Sequence, residues 1–94
     1  MIMAVYKDSK NGNVTFVYDK NNAKSVFVAG DFNNWNPKGA KMAKTKDGSF
    51  RARLSLTPGR HQYKFVADGI WVVDDDTENK VQNEFGTVNS IVEV

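Results

Sequence analysis

The chain predicts an all-β fold, an antiparallel β-sandwich forming a single domain over residues 1–94, on three observations. Turn signals recur at short intervals, at Asn11-Gly12, Asn21-Asn22, Gly39, Asp47-Gly48, Pro58-Gly59 and Asp68-Gly69. The runs between them are rich in Val, Phe and Tyr, with polar residues alternating. No segment sustains a helical period, and short strands with a turn about every ten residues read as a sandwich. With 94 residues, 40% hydrophobic and 12% aromatic, the chain has material for one core.

The turns delimit each element in order. Strand 2–7 precedes Asn11-Gly12, and strand 13–19 lies between that turn and Asn21-Asn22. Strand 24–30 ends at Gly30-Asp31. Residues 31–47 then form a long loop. Strand 49–57 opens after Asp47-Gly48 and closes at Pro58-Gly59. Strand 60–67 runs from there to Asp68-Gly69, and strand 70–74 follows. Residues 75–86 form a second long loop before a final strand, 87–94. Loops of this length in a small domain are often functional.

Turn geometry also fixes faces. Pro58-Gly59, read as a two-residue hairpin loop, pairs Thr57 with Arg60, Leu54 with Tyr63 and Ala52 with Phe65. Asp68-Gly69, read the same way, pairs Ala67 with Ile70 and Val66 with Trp71. Phe50, Ala52, Leu54, Leu56, His61, Tyr63, Phe65, Ala67, Ile70 and Val72 then share the inner face. A slip of one residue would invert every side chain. Arg51, Arg53, Ser55, Gln62, Lys64, Val66, Trp71 and Val73 share the other face. On this reading Arg53 stands opposite Lys64, and Lys64 is a diagonal neighbour of Trp71 at about 7–8 Å. In the last strand Thr87, Asn89, Ile91 and Glu93 project together, opposite Val88, Ser90, Val92 and Val94.

Composition excludes several classes of function. No stretch approaches the roughly 18 apolar residues of a membrane span. The N-terminal run Met1–Tyr6 meets Lys7 and Asp8 too soon for a signal peptide, so a cytoplasmic protein with no membrane partner is expected. Cysteine is absent, which removes disulfides and zinc-thiolate sites. The net charge is only +2, and Lys and Arg are scattered. Nucleic-acid binding wants a denser basic patch, so a neutral or weakly polar ligand is favoured.

The most informative residues are the two tryptophans. Trp35 lies in Gly30-Asp31-Phe32-Asn33-Asn34-Trp35-Asn36-Pro37, surrounded by groups that are hard to bury. Trp71 follows the turn Asp68-Gly69. Aromatic residues left in water mark binding surfaces. A pyranose presents a C–H face edged by hydroxyls; a rigid indole covers that face at low entropy cost. Lys64 can donate to the hydroxyls, and Asn89 and Thr87 can both donate and accept.

These residues resemble those of a known family. Gly-Asp-Phe-Asn-Asn-Trp at 30–35, Gly-Arg-His-Gln-Tyr-Lys-Phe at 59–65, Asp-Gly-Ile-Trp at 68–71 and Phe-Gly-Thr-Val-Asn-Ser-Ile at 85–91 occur in matching order and spacing. Together they are similar to carbohydrate-binding module family 48, which includes the glycogen-binding domain of the AMP-activated protein kinase β subunit. The likeness covers about residues 13–94. It implies an immunoglobulin-like sandwich of the early-set type. It also implies stacking of glucose rings on Trp35 and Trp71, and hydrogen bonds to sugar from Lys64, Asn89 and Thr87. Phe85 takes the position where the kinase subunits commonly carry a protruding Leu; its bulk either enlarges the contact or blocks the curl of the ligand. The chain departs from the kinase subunits in lacking Gly at position 2, so no myristoylation is expected. Their serine between the first tryptophan and the next strand is not evident within Met42–Thr45. Their C-terminal part, which binds the other kinase subunits, is absent from this chain. Kinase regulation is therefore not implied.

Other chemistries are outweighed. Asp74-Asp75-Asp76 lacks the spacing and glycine of a calcium loop and reads as a solvated acidic turn. His61, the one histidine, faces inward and reads as structural. A nucleophilic triad has little to draw on, and paired carboxylates would need a cleft. The expectation is a monomeric non-enzyme with no cofactor or metal, binding an α-1,4-glucan (glycogen, starch or maltodextrin). Its affinity should be micromolar to millimolar, roughly 4–8 kcal/mol. The rival expectation is a docking module for a glucan-metabolising enzyme, with no useful sugar affinity. Single-stranded nucleic acid would use the same aromatics, but its basic groove is missing.

Overall fold

Residues 13–19 alternate between two environments, and that alternation lays down the first sheet. Val14, Phe16 and Tyr18 are buried to within 1% of completely, while Asn13, Thr15 and Asp19 retain solvent. The structure is a computed structural model that describes residues 2–8, 12–19, 23–73, 80–82 and 86–94. Its strands are β1 (Ile2–Asp8), β2 (Asn13–Asp19), β3 (Val26–Gly30), β4 (Ala40–Lys41), β5 (Ala43–Lys44), β6 (Phe50–Ser55), β7 (Arg60–Ala67), β8 (Ile70–Val72), β9 (Lys80–Gln82) and β10 (Val88–Glu93). One sheet runs β1-β2-β6-β5. The other runs β4-β3-β7-β10-β9, with β8 also paired to β7. Every pairing is antiparallel.

The two sheets close on a core of aromatic and β-branched side chains. Phe16, Tyr18 and Phe50 come from the first sheet; Val26, Val28, Tyr63, Phe65 and Val92 come from the second. Across the gap Phe16 meets Tyr63 edge-on at 4.9 Å, and Tyr18 meets Phe65 edge-on at 5.4 Å. Such pairs add about 0.5–1.5 kcal/mol each beyond the burial of area. The sandwich expected from the alternation is therefore present, with Phe50, Tyr63 and Phe65 of the expected inner face inside.

The partner of β6 is not the expected one. Pro58-Gly59 is not a hairpin loop: β6 pairs with β2 and β5, whereas β7 pairs with β3, β8 and β10. The connection crosses from one sheet to the other. It is tied down by Leu56 N–H to Gly12 O (3.0 Å) and by mutual bonds between Gly59 and Val94 (2.9 and 2.8 Å). The reason lies in proline itself. Two-residue hairpin loops need a positive φ at their first residue, and the proline ring locks φ near −65°. Arg53 accordingly lies across from Thr15 and not Lys64, so the expected like-charge clash does not arise. The inward faces of these two strands were still correct, because both turn the same residues to one core from opposite sides. Ile70, expected on that inner face too, is instead 67% exposed, at the start of the short β8 directly after the Asp68-Gly69 turn. At Asp68-Gly69 the geometry is permissive: φ is 50° and 83°, and Ala67–Ile70 and Val66–Trp71 pair as expected.

The two long loops hold short strands. Within 31–47, Ala40 and Lys41 pair with β3, and Ala43 and Lys44 pair with β6. Between them Met42, 2% exposed, enters the core and donates its N–H to Val26 O at 2.9 Å. The chain thus changes sheets in a few residues, and a buried methionine fills the open edge. Within 75–86, residues 80–82 form β9 against β10. Pieces of two or three residues carry no visible alternation. Residues 74–79 and 83–85 lie outside the described residues, and with them the Asp74–Asp76 run and Phe85.

Before β6 the chain turns on Asp47-Gly48. Asp47 Oδ1 accepts from the Ser49 hydroxyl at 2.6 Å, from Ser49 N–H at 3.0 Å and from the Thr45 hydroxyl. These bonds, the Ser49 hydroxyl foremost, hold the Asp47 carboxyl well below the usual carboxylate range. A depressed acid contributes stability that is complete above its unfolded pKa of about 4 and is lost as pH falls through the folded value. Asp47→Ala should therefore melt below the wild type at pH 7. The gap should narrow as pH is lowered from about 4 towards 2. A gap that held constant across that range would show that ionisation of Asp47 adds nothing.

Candidate functional site

Strand β7 forms the spine of the site. Tyr63, Phe65 and Ala67 point into the core, so Arg60, Gln62, Lys64 and Val66 line the outer face of the second sheet. On one side β3 brings Phe27 opposite Val66 and Ala29 opposite Lys64. On the other side β8 brings Trp71 opposite Val66. Further along that same side, β10 sets Ser90 opposite Tyr63 and Ile91 opposite Gln62, which brings Asn89 beside Lys64. Strands β8 and β10 thus lie end to end along β7. Their outward residues fall on one strip.

Trp35 reaches this strip from the turn after β3. Each residue of Gly30–Trp35 has an identifiable task. At Gly30 a Cβ would lie 2.4 Å from Gln62 O and 2.5 Å from the Phe32 ring, so only glycine lets the backbones approach. The Asp31 carboxylate accepts from Gln62 N–H at 3.0 Å and lies 3.2 Å from His61 Nδ1. The Phe32 ring packs near Phe16 and His61, with centroids 6.0 and 6.1 Å away. Asn33 accepts from Gly30 N–H at 3.0 Å and donates to Val28 O at 3.1 Å, doing with its side chain what a backbone turn would do. A single 3-10 turn over Asp31–Asn33 follows, and then Asn34 and Trp35 both take φ of 57°. A positive φ is tolerable for Asn and strained for a bulky aromatic. Trp35 is held there by its N–H bond to Gly30 O at 2.8 Å.

The result is a pair of indoles. Trp35 and Trp71 have ring centroids 6.5 Å apart and planes inclined at 48°. Trp71 is 44% exposed, although it sits in a strand. Beside the rings, Lys64 Nζ donates to Thr87 Oγ1 at 3.1 Å. Asn89, 5% exposed, donates from its amide to Gln62 Oε1 at 2.9 Å. The structure therefore brings Trp35, Trp71, Lys64, Thr87 and Asn89 onto one face, apolar rings at one end and polar groups next to them. Phe85 lies outside the described residues. Gln62 was legible as a residue of this face; its grip on Asn89 was not. Asp31 and Asn33 gave no functional signal, since a carboxylate and an amide in a turn read as ordinary turn chemistry. At the far end of β7 the β7–β8 turn is fixed to its neighbours as well. The Asp68 carboxylate accepts from Lys24 N–H and Ser25 N–H at 2.9 Å each, which pins the start of β3 to the β7–β8 turn.

His61 belongs to a different place. Its Nε2 lies 2.8 Å from Thr57 O and its Nδ1 faces Asp31, so both ring nitrogens are engaged. A hollow of about 470 Å³ beside it is lined by Asp31, Phe32, Leu56, Thr57 and Arg60. Neither tryptophan lines it.

Residues 12–94 match the family model described as the glycogen recognition site of AMP-activated protein kinase. The chain belongs to this family. Among its relatives is the 5'-AMP-activated protein kinase subunit beta-2 of Homo sapiens, 38% identical over 88 residues, covering 94% of this chain and 31% of the relative. The subunit beta-1 of Sus scrofa is 43% identical over 72 residues, covering 76% of this chain and 55% of the relative. The beta-1 subunit of Rattus norvegicus shows the same identity over the same length, covering 25% of that protein. The chain thus spans about a third of the length of the beta-2 relatives. The glycogen-recognition match begins at Gly12, so all of the strip described above lies inside it, and β1 lies outside.

The close approach at Gly30 makes a direct test of how the Trp35 turn is held. Gly30→Ala should destabilise the fold by about 1–3 kcal/mol in urea denaturation, because the obstructing atom is backbone in β7. Unchanged stability would mean that the turn shifts freely, and that Trp35 is not held by the Gly30 approach.

Proposed function

We propose that this domain is a non-catalytic glycogen-binding module that takes α-1,4-glucan on the outer face of its second sheet. The observation that carries the reading is the inclined pair of indoles, 6.5 Å apart and 48° from parallel, beside a polar strip. Trp35 and Trp71 stack on the apolar faces of successive glucose units. An inclined pair suits a chain that curves, since each ring meets a sugar turned relative to the last. Lys64 donates to sugar oxygens from the rim. Thr87 and Asn89 complete the contact, and Phe85 is assigned to it from the family resemblance alone. The positive φ of Trp35 supports this assignment: strain of about 1–3 kcal/mol persists where a side chain must be aimed, and it clusters at ligand clamps. Membership of the glycogen-recognition family supports the ligand class.

Hydroxyl groups and water compete for the same donors, so the polar contacts are individually modest. Stacking supplies most of the affinity, and repeated contacts favour long glucans over short ones. Trp35→Ala and Trp71→Ala should each weaken binding of maltoheptaose by on the order of 1–2 kcal/mol, about five- to thirtyfold in Kd. The double variant should lose retention on immobilised glycogen while keeping the wild-type far-UV circular dichroism. Retention undiminished in a folded double variant would sink the assignment. A flat titration of the wild type with maltoheptaose would instead favour a docking module that meets a protein partner through the same rings.

A further inference from the structure

The polar strip does not stop at Lys64 and Asn89. Two residues along β7 the outer face reaches Gln62, opposite Ile91, and then Arg60. Here the surface sinks into a depression of about 240 Å³ lined by Arg60, Gln62, Val81 and Ile91. All of these project from the same side of the sheet as Lys64. Arg60 and Gln62 share its parity on β7, Ile91 faces Gln62, and Val81 pairs with Asn89. At about 3.4 Å per residue, Gln62 lies roughly 7 Å from Lys64 and roughly 14 Å from Val66, the residue opposite Trp71. A glucan leaving the tryptophans along β7 would run straight into it.

We infer that this depression is an additional sugar subsite, which takes glucose units of the same α-glucan beyond those stacked on Trp35 and Trp71. The inference rests on the glucan-binding reading above and extends it to chain length. Its chemistry is that of a sugar site, with an apolar floor and wall from Ile91 and Val81 and polar groups at the margin. Gln62 Oε1 is taken up by Asn89, whereas the Gln62 amide nitrogen, with two N–H donors, is engaged by none of the described residues. The Arg60 guanidinium is steadied at the rim by Glu93, 3.5 Å away, and still has N–H groups to offer a hydroxyl. Gln62 also joins the two parts of the face. Sugar on the depression and sugar on Asn89 would meet opposite ends of one hydrogen-bonded pair.

The test is a calorimetric titration of the whole chain with maltotriose, maltopentaose and maltoheptaose. The proteins compared are the wild type, Arg60→Ala and Val81→Phe. Arg60 is exposed and outside the tryptophan site, and Val81→Phe fills the depression from an edge strand; thermal melting checks that each is folded. The wild type should gain affinity with each increase in length. Both variants should match it for maltotriose and fall about five- to tenfold behind for maltoheptaose. Variants equal to the wild type at every length would overturn the subsite and leave the tryptophan site standing. A wild type that binds none of the sugars would overturn the glucan reading itself, and the subsite with it.

Discussion

Strand β7 is the constraint on which the rest of the structure depends. It bonds to β3 along one side and to β8 and β10 along the other, so the second sheet has no continuity without it. Its alternation divides labour cleanly. Tyr63 and Phe65, both fully buried, supply the core and meet Phe16 and Tyr18 of the opposing sheet. Arg60, Gln62, Lys64 and Val66 form the outer strip. Because one strand does both jobs, the rigidity of the core passes directly to the candidate site. The polar groups are mounted on backbone that cannot move without opening the sandwich.

The Trp35 turn shows the opposite arrangement. Its aromatic is carried on a loop and must be held by explicit bonds. Asn33 closes the turn on Val28 and Gly30, Asp31 caps Gln62, and Gly30 permits the approach that makes both possible. Each partner belongs to β3 or β7. The loop is therefore referenced to the same spine as Lys64, and the left-handed backbone of Trp35 is imposed by its surroundings and not by its own preference. Where function needs a side chain to be aimed out of a sheet edge, the fold provides a scaffold of small polar residues that look unremarkable in sequence.

Much of this was legible beforehand, for definite reasons. The inner faces of β6 and β7 and the two side-chain sets of β10 follow from period-two alternation, which is a local property. The Asp68-Gly69 hairpin follows from two residues that accept positive φ. Trp35 announced itself because it stands among residues that resist burial, and Trp71 because it follows the Asp68-Gly69 turn on the face opposite the core. What misled was Pro58-Gly59, where a turn dipeptide was read as a hairpin. Proline cannot adopt the backbone such a hairpin requires, and the chain crosses between sheets instead. The strands at 40–41, 43–44 and 80–82 were invisible because pieces so short have no period to show.

The sequence by itself determined the all-β class, the inward faces of β6 and β7, the place of Trp71 and Lys64 on the opposite face, and the shared projection of Thr87 and Asn89. These are consequences of spacing along one strand, and spacing is written in the chain. Only the tertiary structure decided which strands are neighbours. That choice joins β7 to β3, β8 and β10, brings Trp35 to 6.5 Å from Trp71, and places Gln62 in the grip of Asn89. Strand pairing is selected by the packing of distant side chains across a shared core, and no local pattern contains that information.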